Sequence, residues 1–304
     1  MEDKDMYEKM KKELLEALKD MLADSFKVKT YTVFKNGKEA EAFLITEEDS
    51  AVSPTFYYKN YLDDYMKGVS VEDLAKEIVA AYFFASQQYS FNATDFRDFN
   101  AQKNRIVYKV VNAKEYAEQL PNIPHIEFFD LAIIFYCIIN ISKEESISYV
   151  ITNSLLEIWG ISKEELYEIA HQNFPKVLPL QISPITETIY EGFKDRGLME
   201  ETIETLPDDF IYVVTNKYQK FGFANIFYPR LLETFAKRFG SFYIIPSSTE
   251  EALLFPTSTN MGVDEIKYMV RTINGDKNII QPDIFLSNSI YHYDAETGKI
   301  DAYL

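Results

Sequence analysis

The chain has 304 residues, about twice a modal domain, of which 47% are hydrophobic and 26% charged, with only 10 glycines and 11 prolines. This composition excludes disordered, collagenous and low-complexity classes. The balance of 48 acids against 31 bases gives a net charge of −17 and speaks against nucleic-acid binding and against an anionic membrane surface.

The N-terminal 26 residues mix acids and bases throughout, without the apolar middle of a secretory signal. The most apolar run, 128–141, is too short to cross about 30 Å of hydrocarbon. Cys137 is the one cysteine, so no intramolecular disulfide and no Cys-based zinc site can form. The expectation is a cytoplasmic protein with no membrane partner.

Residues 4–23 place Met6, Met10, Leu14, Leu18 and Leu22 at helical spacing and predict an amphipathic helix. Alternation then takes over from Phe26 to Thr46, with Asn36-Gly37 between two runs, and predicts a β-hairpin. After Ser53-Pro54, residues 55–68 repeat Tyr57, Tyr61, Leu62 and Tyr65 at helical spacing up to Gly68, and Ser70 with Asp73 caps a following helix. RIVYKVVN (105–112) reads as a strand and AKEYAEQL as a short helix stopped by Pro121.

HIEFF and LAIIFYCIIN carry enough Ile and Phe for one long strand or a strand pair, with ISYVIT (147–152) antiparallel to it across the SKEES turn. A buried helix is the rival reading there. Ser162-Lys163-Glu164-Glu165 is a complete capping box opening a helix that runs to Pro175. TETIYEGFKDRGLM predicts a helix and EETIETLPDD an acidic loop. FIYVVTN and FGFANIFY then predict a hairpin, followed by a helix over 229–239 that Gly240 ends. SFYIIPSS, ALLFPT, a helix over 264–274 and a closing strand pair complete the pattern. The fold class is α+β, antiparallel strands and hairpins with packed helices, in two subdomains, 1–180 and 181–304, whose boundary lies between 175 and 209.

The segments WGISKEELYEIAHQNFPKVLPL, YVVTN, FGFANIFYPRLLETFAKRFG, FYIIPSS, the helix over 261–274 and LSNSIYHYDAETGKI occur in the order found in a family of uncharacterised proteins from anaerobic gut Firmicutes, which the chain resembles. SPTFYYKNYLDDYMKG, RIVYKVVN and HIEFFDLAIIFYC extend that resemblance upstream, and the C-terminal half more distantly resembles the YtpQ-like proteins. The resemblance implies an intracellular bacterial α+β protein and supplies no catalytic residues.

Candidate chemistry is sparse. Only three histidines exist, His125, His171 and His292, expected on a loop or strand, a helix and a strand. Glu168 and His171 form one Glu-x-x-His pair, with Glu164 a turn earlier, whereas di-iron bundles need two such motifs; a solvated acidic helix face gives the same pattern. His125 and Glu127 share a strand face and Asp130 lies on the other. Cys137 amid Ile, Phe and Tyr reads as an inert core thiol, and Ser247-Ser248 as a turn or cap, since no Gly-x-Ser-x-Gly elbow surrounds them. No glycine-rich phosphate cradle is present, and Asp63-Asp64 and Asp208-Asp209 are ordinary for so acidic a chain.

The residual signal is aromatic: 22 Tyr and 23 Phe, with Tyr57, Tyr58, Tyr61 and Tyr65 on one segment, read either as core or as an interface. No motif assembles a nucleophile with a base and oxyanion donors, and none assembles three metal ligands. The reading is therefore a non-catalytic binding protein without cofactor or metal, whose charge suits a basic protein partner; an immunity or inhibitor protein is one concrete form. The alternative is a hydrolase or metal-dependent enzyme using His125, His171 or His292 with Glu168 or Asp130. Tyr61 and Tyr65 are the interface candidates.

Overall fold

The amphipathic N-terminal segment forms helix α1 (Glu2–Met21), and its stripe Met10, Leu14 and Leu18 is fully buried. The computed structural model describes residues 2–35, 38–47, 54–88, 96–143, 146–193, 197–246, 248–259, 261–276, 279–281 and 283–303. Two compact units divide the chain, Met1–Ala101 and Gln102–Leu304. The range 175–209, where the sequence places a boundary, lies within the second unit and holds the strand Leu180–Pro184 of its six-stranded sheet. Among the described residues no helix is long and apolar enough to cross a membrane.

In the first unit β1 (Phe26–Lys35) pairs antiparallel with β2 (Lys38–Glu47) in the register Lys35 to Lys38. That register brackets the expected turn, and Asn36-Gly37 itself lies outside the described residues. The expected helix over 55–68 is divided: Thr55–Tyr57 is a third strand, β3, on β2, and α2 is confined to Lys59–Met66. The reason is local. Phe43 of β2 stacks on Phe56 with centroids 5.4 Å apart, so the pleat, not a helix turn, buries that ring. Helix α3 (Val71–Gln88) starts as expected at Ser70, whose Oγ accepts the Asp73 N–H at 3.1 Å and donates to the Asp73 carboxylate at 2.8 Å.

The single turn α4 (Phe99–Gln102) ends at the first residue of the second unit, which continues with β4 (Ile106–Asn112), β5 (His125–Phe128), β6 (Leu131–Ile141) and β7 (Ser146–Val150). β6 is the centre of this sheet, with β4 on one side and β5 followed by β7 on the other, all antiparallel. The strand-pair reading of 125–141 therefore holds against the buried helix; Glu144 and Glu145 of the SKEES turn lie outside the described residues. The helix expected over 113–120 is a run of turns, because the Asn112 side chain accepts the Lys114 and Glu115 N–H groups at 3.0 Å each and bends the chain there.

Helix α5 (Asn153–Trp159) was not expected; Thr152 caps it, and Gly160 ends it in the left-handed region. Helix α6 (Lys163–Val177) follows with its capping box complete: Ser162 Oγ accepts the Glu165 N–H and Glu165 accepts the Ser162 N–H at 2.8 Å. It passes through Pro175 and ends two residues later, where Leu178 N–H donates to Phe174 O at 2.8 Å.

The larger sheet runs β13–β12–β10–β11–β9–β8, entirely antiparallel. It is built from β8 (Leu180–Pro184), helices α7 (Ile185–Glu191) and α8 (Met199–Thr205), β9 (Tyr212–Asn216), α9 (Leu231–Phe239), β10 (Phe242–Ile245), β11 (Ala252–Pro256), α10 (Val263–Gly275), β12 (Ile290–Tyr293) and β13 (Ile300–Tyr303). Ile266 and Val270 of α10 pack on Ile211, Ile245, Phe255 and Ile290 on one face. On the other, Phe235 of α9 meets Tyr212 and Phe242 edge-on.

Two expectations fail here. The acidic stretch after Leu198 is helix α8, because Met199, Thr202 and Ile203 fall on one buried stripe while Glu200 and Glu201 lie in its first turn, where negative charge suits the helix dipole. The expected second strand FGFANIFY is a 3₁₀ helix over Gly222–Phe227, with Phe223 and Ile226 three residues apart and both buried. Close approach fixes it: a Cβ on Gly222 would lie 1.6 Å from Glu250 O and 2.4 Å from Thr215 Oγ1. Gly222→Ala is expected to cost about 3 kcal/mol or to abolish soluble expression, whereas Gly275→Ala, which meets nothing within 4 Å, stays within about 1 kcal/mol. Urea unfolding of both variants checks this.

Candidate functional site

Asp130, a sequence candidate, accepts three side-chain hydroxyls from a segment more than 150 residues further along the chain. It closes the two-residue turn between β5 and β6, where Phe128 pairs with Leu131. Its Oδ2 accepts the hydroxyls of Ser287 at 2.5 Å and Ser289 at 2.9 Å, and its Oδ1 accepts the Tyr291 hydroxyl at 2.6 Å. Ser289 N–H donates to Ser287 Oγ at 2.9 Å, so the donors are themselves ordered. The Tyr291 phenol is pushed well above its ordinary range by burial first and then by the Asp130 hydrogen bond and charge, and it remains a donor. Phe129 precedes Asp130 at φ 53 and stacks on Tyr291 at 5.2 Å. Three hydroxyl groups converge on one acceptor with no imidazole among them, which is an arrangement that fixes two segments and activates no nucleophile.

A second polar cluster was not anticipated. Lys109, on β4, is only 6% exposed, and its ammonium lies 5.3 Å from the centre of the Phe221 ring. Glu250, ahead of β11, has an Oε2 that is buried with no protein hydrogen-bond partner. Burial pushes its carboxyl above the usual range, while Lys109 and Lys220 pull the other way. Glu251 is raised by burial and then by Glu250. Non-glycine residues in the left-handed region flank this cluster, Gln219 at φ 56 and Phe221 at φ 58. The loop is held by Asn216, which donates from Nδ2 to Lys220 O at 2.6 Å and accepts the Tyr218 N–H at 3.1 Å. The only sequence signal was Glu250-Glu251 beside an isolated Lys inside an apolar strand.

The remaining candidates sit apart. His125 Nδ1–H donates to Ile123 O at 3.0 Å, two residues away on its own segment. His171 stacks on Tyr167 at 5.8 Å on α6, its Nδ1 is buried without a protein partner, and Glu168 on the same helix is exposed. His292 lies against Tyr243 at 5.3 Å and Tyr303 at 6.4 Å on the larger sheet. Among the described residues no three His, Cys, Asp or Glu side chains gather as a metal site. Tyr61 and Tyr65 pack against the core of the first unit; burial and Glu77 push Tyr61 up to about 12, and Tyr65 donates to Glu13 Oε2 at 2.8 Å. Cys137 is buried, its thiol raised by burial and donating to Gln102 Oε1 at 3.3 Å. Ser248 is buried and accepts the Glu250 N–H at 3.1 Å, as a turn residue; Ser247 lies outside the described residues.

Between Ile189 and Phe210 the second unit presents four apolar side chains to solvent; Tyr268, Ile279, Ile158 and Phe129 are exposed elsewhere in it. Ile189 is 69% and Tyr190 85% exposed on α7, Leu198 is 67% exposed at the start of α8, and Phe210 is 49% exposed before β9. Beside Leu198 lies a cavity of about 110 Å³, walled by Pro179, Leu180, Gln181, Met199 and Tyr228 among others.

Asp130→Ala is expected to destabilise the protein by about 3 kcal/mol, because three hydroxyls lose their acceptor at once, against about 1 kcal/mol for Ser287→Ala. Denaturant melts of both variants measure this. Glu250 and Glu251 carry raised carboxyl pKa values, so the folded state binds more protons than the unfolded one just above the ordinary value of 4.5, and their contribution to stability falls as pH rises. Glu250→Gln and Glu251→Gln are therefore expected to raise the thermal midpoint at pH 8 and leave it nearly unchanged at pH 4, flattening the pH dependence in differential scanning fluorimetry.

The model of a family of unknown function, DUF5688, matches residues 7–295, and the chain belongs to that family. Membership agrees with the expected resemblance to uncharacterised proteins and assigns no activity. No curated protein and no solved structure matches the chain.

Proposed function

We propose that the protein is a non-catalytic binding protein for a basic protein partner. The observation that carries this reading is the run of exposed Ile189, Tyr190, Leu198 and Phe210 within a strongly acidic stretch. Residues 185–209 hold eight acids and two bases. Apolar and aromatic anchors surrounded by charge have the composition of a protein interface, with anchors to desolvate and a charged rim to steer. The net charge of −17 supports a basic partner and disfavours a nucleic acid. An immunity or inhibitor protein that covers a basic groove is one concrete form. The single buried cysteine supports a reducing, cytoplasmic setting, and the sequence resemblance supports a bacterial one.

Tagged wild type and an Ile189→Ser, Tyr190→Ser double variant, compared in affinity capture from lysate at low salt, test the reading. The expected result is a protein of high pI that elutes at about one Debye length of 3 Å, near 1 M salt, and that the double variant recovers at least about tenfold less. Identical capture by both proteins, or no basic protein above background, would sink it. Unchanged thermal midpoints are expected for the variant, since both side chains stand in solvent.

A further inference from the structure

We infer that the open edge of β1 takes an extended acidic segment of another protein as an added strand. This edge lies in the first unit and owes nothing to the apolar side chains on α7 and α8.

The strand order of the first unit is β1–β2–β3, and among the described residues β1 pairs with β2 alone. Which backbone groups this leaves open follows from β2. Glu41 O accepts the Tyr58 N–H at 3.2 Å, so the backbone groups of Glu41 point toward β3 and those of Ala40 and Ala42 toward β1. Ala42 lies opposite Tyr31 and Ala40 opposite Val33, so Tyr31 and Val33 bond to β2. By alternation Val28, Thr30 and Thr32 turn their N–H and C=O groups to the open edge. Donors and acceptors repeating at every second residue are what strand addition uses.

Sheet edges are normally blunted by shortness, proline, a bulge, a covering element or charge. β1 has ten residues, no proline and an unbroken register, and Lys29, Thr30, Tyr31 and Thr32 are exposed on it. Lysine is the device it uses. Residues 26–38 hold four lysines and no acid, in a chain of net charge −17. Lys27 and Lys29 are both exposed and, two residues apart, share the face of the sheet turned away from the core contact of Val28. Those charges oppose pairing with a second β1, which brings the same lysines, and favour a strand with acids at alternate positions on that face. Charge complementarity therefore selects an acidic occupant, and the open backbone groups require it to be extended.

The probe is the capped peptide Thr-Glu-Val-Glu-Thr-Glu-Val, with a control in which lysine replaces every glutamate. Amide hydrogen exchange of the full-length chain, resolved by residue at low salt, reports where each one binds. Saturating acidic peptide is expected to slow the amides of Val28, Thr30 and Thr32 about tenfold and to leave those of Lys29, Tyr31 and Val33, already bonded to β2, within about twofold. Lys29→Glu is expected to weaken the peptide about fivefold at an unchanged thermal midpoint, since its side chain is exposed. Thr32→Pro, which removes an outward N–H and no bond to β2, is expected to weaken it by a similar factor. Slowing of both sets of amides alike, or of neither, would overturn strand addition. Equal binding of the lysine peptide would overturn selection of an acidic partner. The same alternate protection in the protein alone, rising with its concentration, would make a second copy the occupant and overturn the inference.

Discussion

The second unit depends on one carboxylate. Its two sheets are separate ladders, and no strand is shared between them. Asp130 reaches from the β5–β6 turn to the segment leading into β12, and the Asp130 carbonyl accepts the Ala113 N–H at 3.0 Å at the end of β4. Asn112 Nδ2 donates to Leu286 O at 2.8 Å beside it. Asp130 is half-buried, and a carboxylate that gives up part of its hydration needs donors to compensate. Ser287, Ser289 and Tyr291 provide them. Because Tyr291 is also stacked on Phe129 and edge-on to Phe128, the polar contact fixes how the aromatic rings pack. The positive φ of Phe129 is held by this packing, since the ring has no comparable contact to gain if the turn relaxes.

Lys109 on β4, its ammonium over the Phe221 ring, and Glu250 ahead of β11 are charged groups of a different kind. A buried cation and a buried carboxylate with an unmet oxygen contribute little net stability, because desolvation opposes their attraction. What they do is discriminate. A slipped arrangement of the sheets would strand Lys109 among Ile and Val, away from the Phe221 ring, which costs more than its native placement does. Apolar packing supplies most of the cohesion, and the Asp130 tie selects one arrangement among those that apolar packing alone would permit.

Local signals were legible and distant partners were not. The capping box at Ser162 and Glu165, the Ser70 cap and the alternation around 26–47 lie within a few residues of what they specify, and the structure realises each one. FGFANIFY failed because its conformation is set by Glu250 O and Thr215, neither of which a local pattern can reveal. The stripe Met199, Thr202, Ile203 was present in the text, hidden by the acids between its members. For the site, Asp130 stood out as a charge entering an apolar strand, yet its three donors lie 157 to 161 residues further along. Its identity was legible and its role was not.

The aromatic signal divides along the same line. Tyr58 is buried, Tyr61 is half-buried and Tyr65 spends its hydroxyl on Glu13, so the tyrosine-rich helix belongs to a core. Ile189 and Tyr190 on α7 and Leu198 at the cap of α8 are left in water, on helices of seven residues each, too short to hold themselves without packing. Arg238 supplies some of it, donating to Ile203 O and Leu206 O at the end of α8. Exposed Ile189, Tyr190 and Leu198 add nothing to that packing. An apolar side chain held in water on a scaffolded short helix stabilises the protein only when something else covers it, and the acids beside it set the charge of what does.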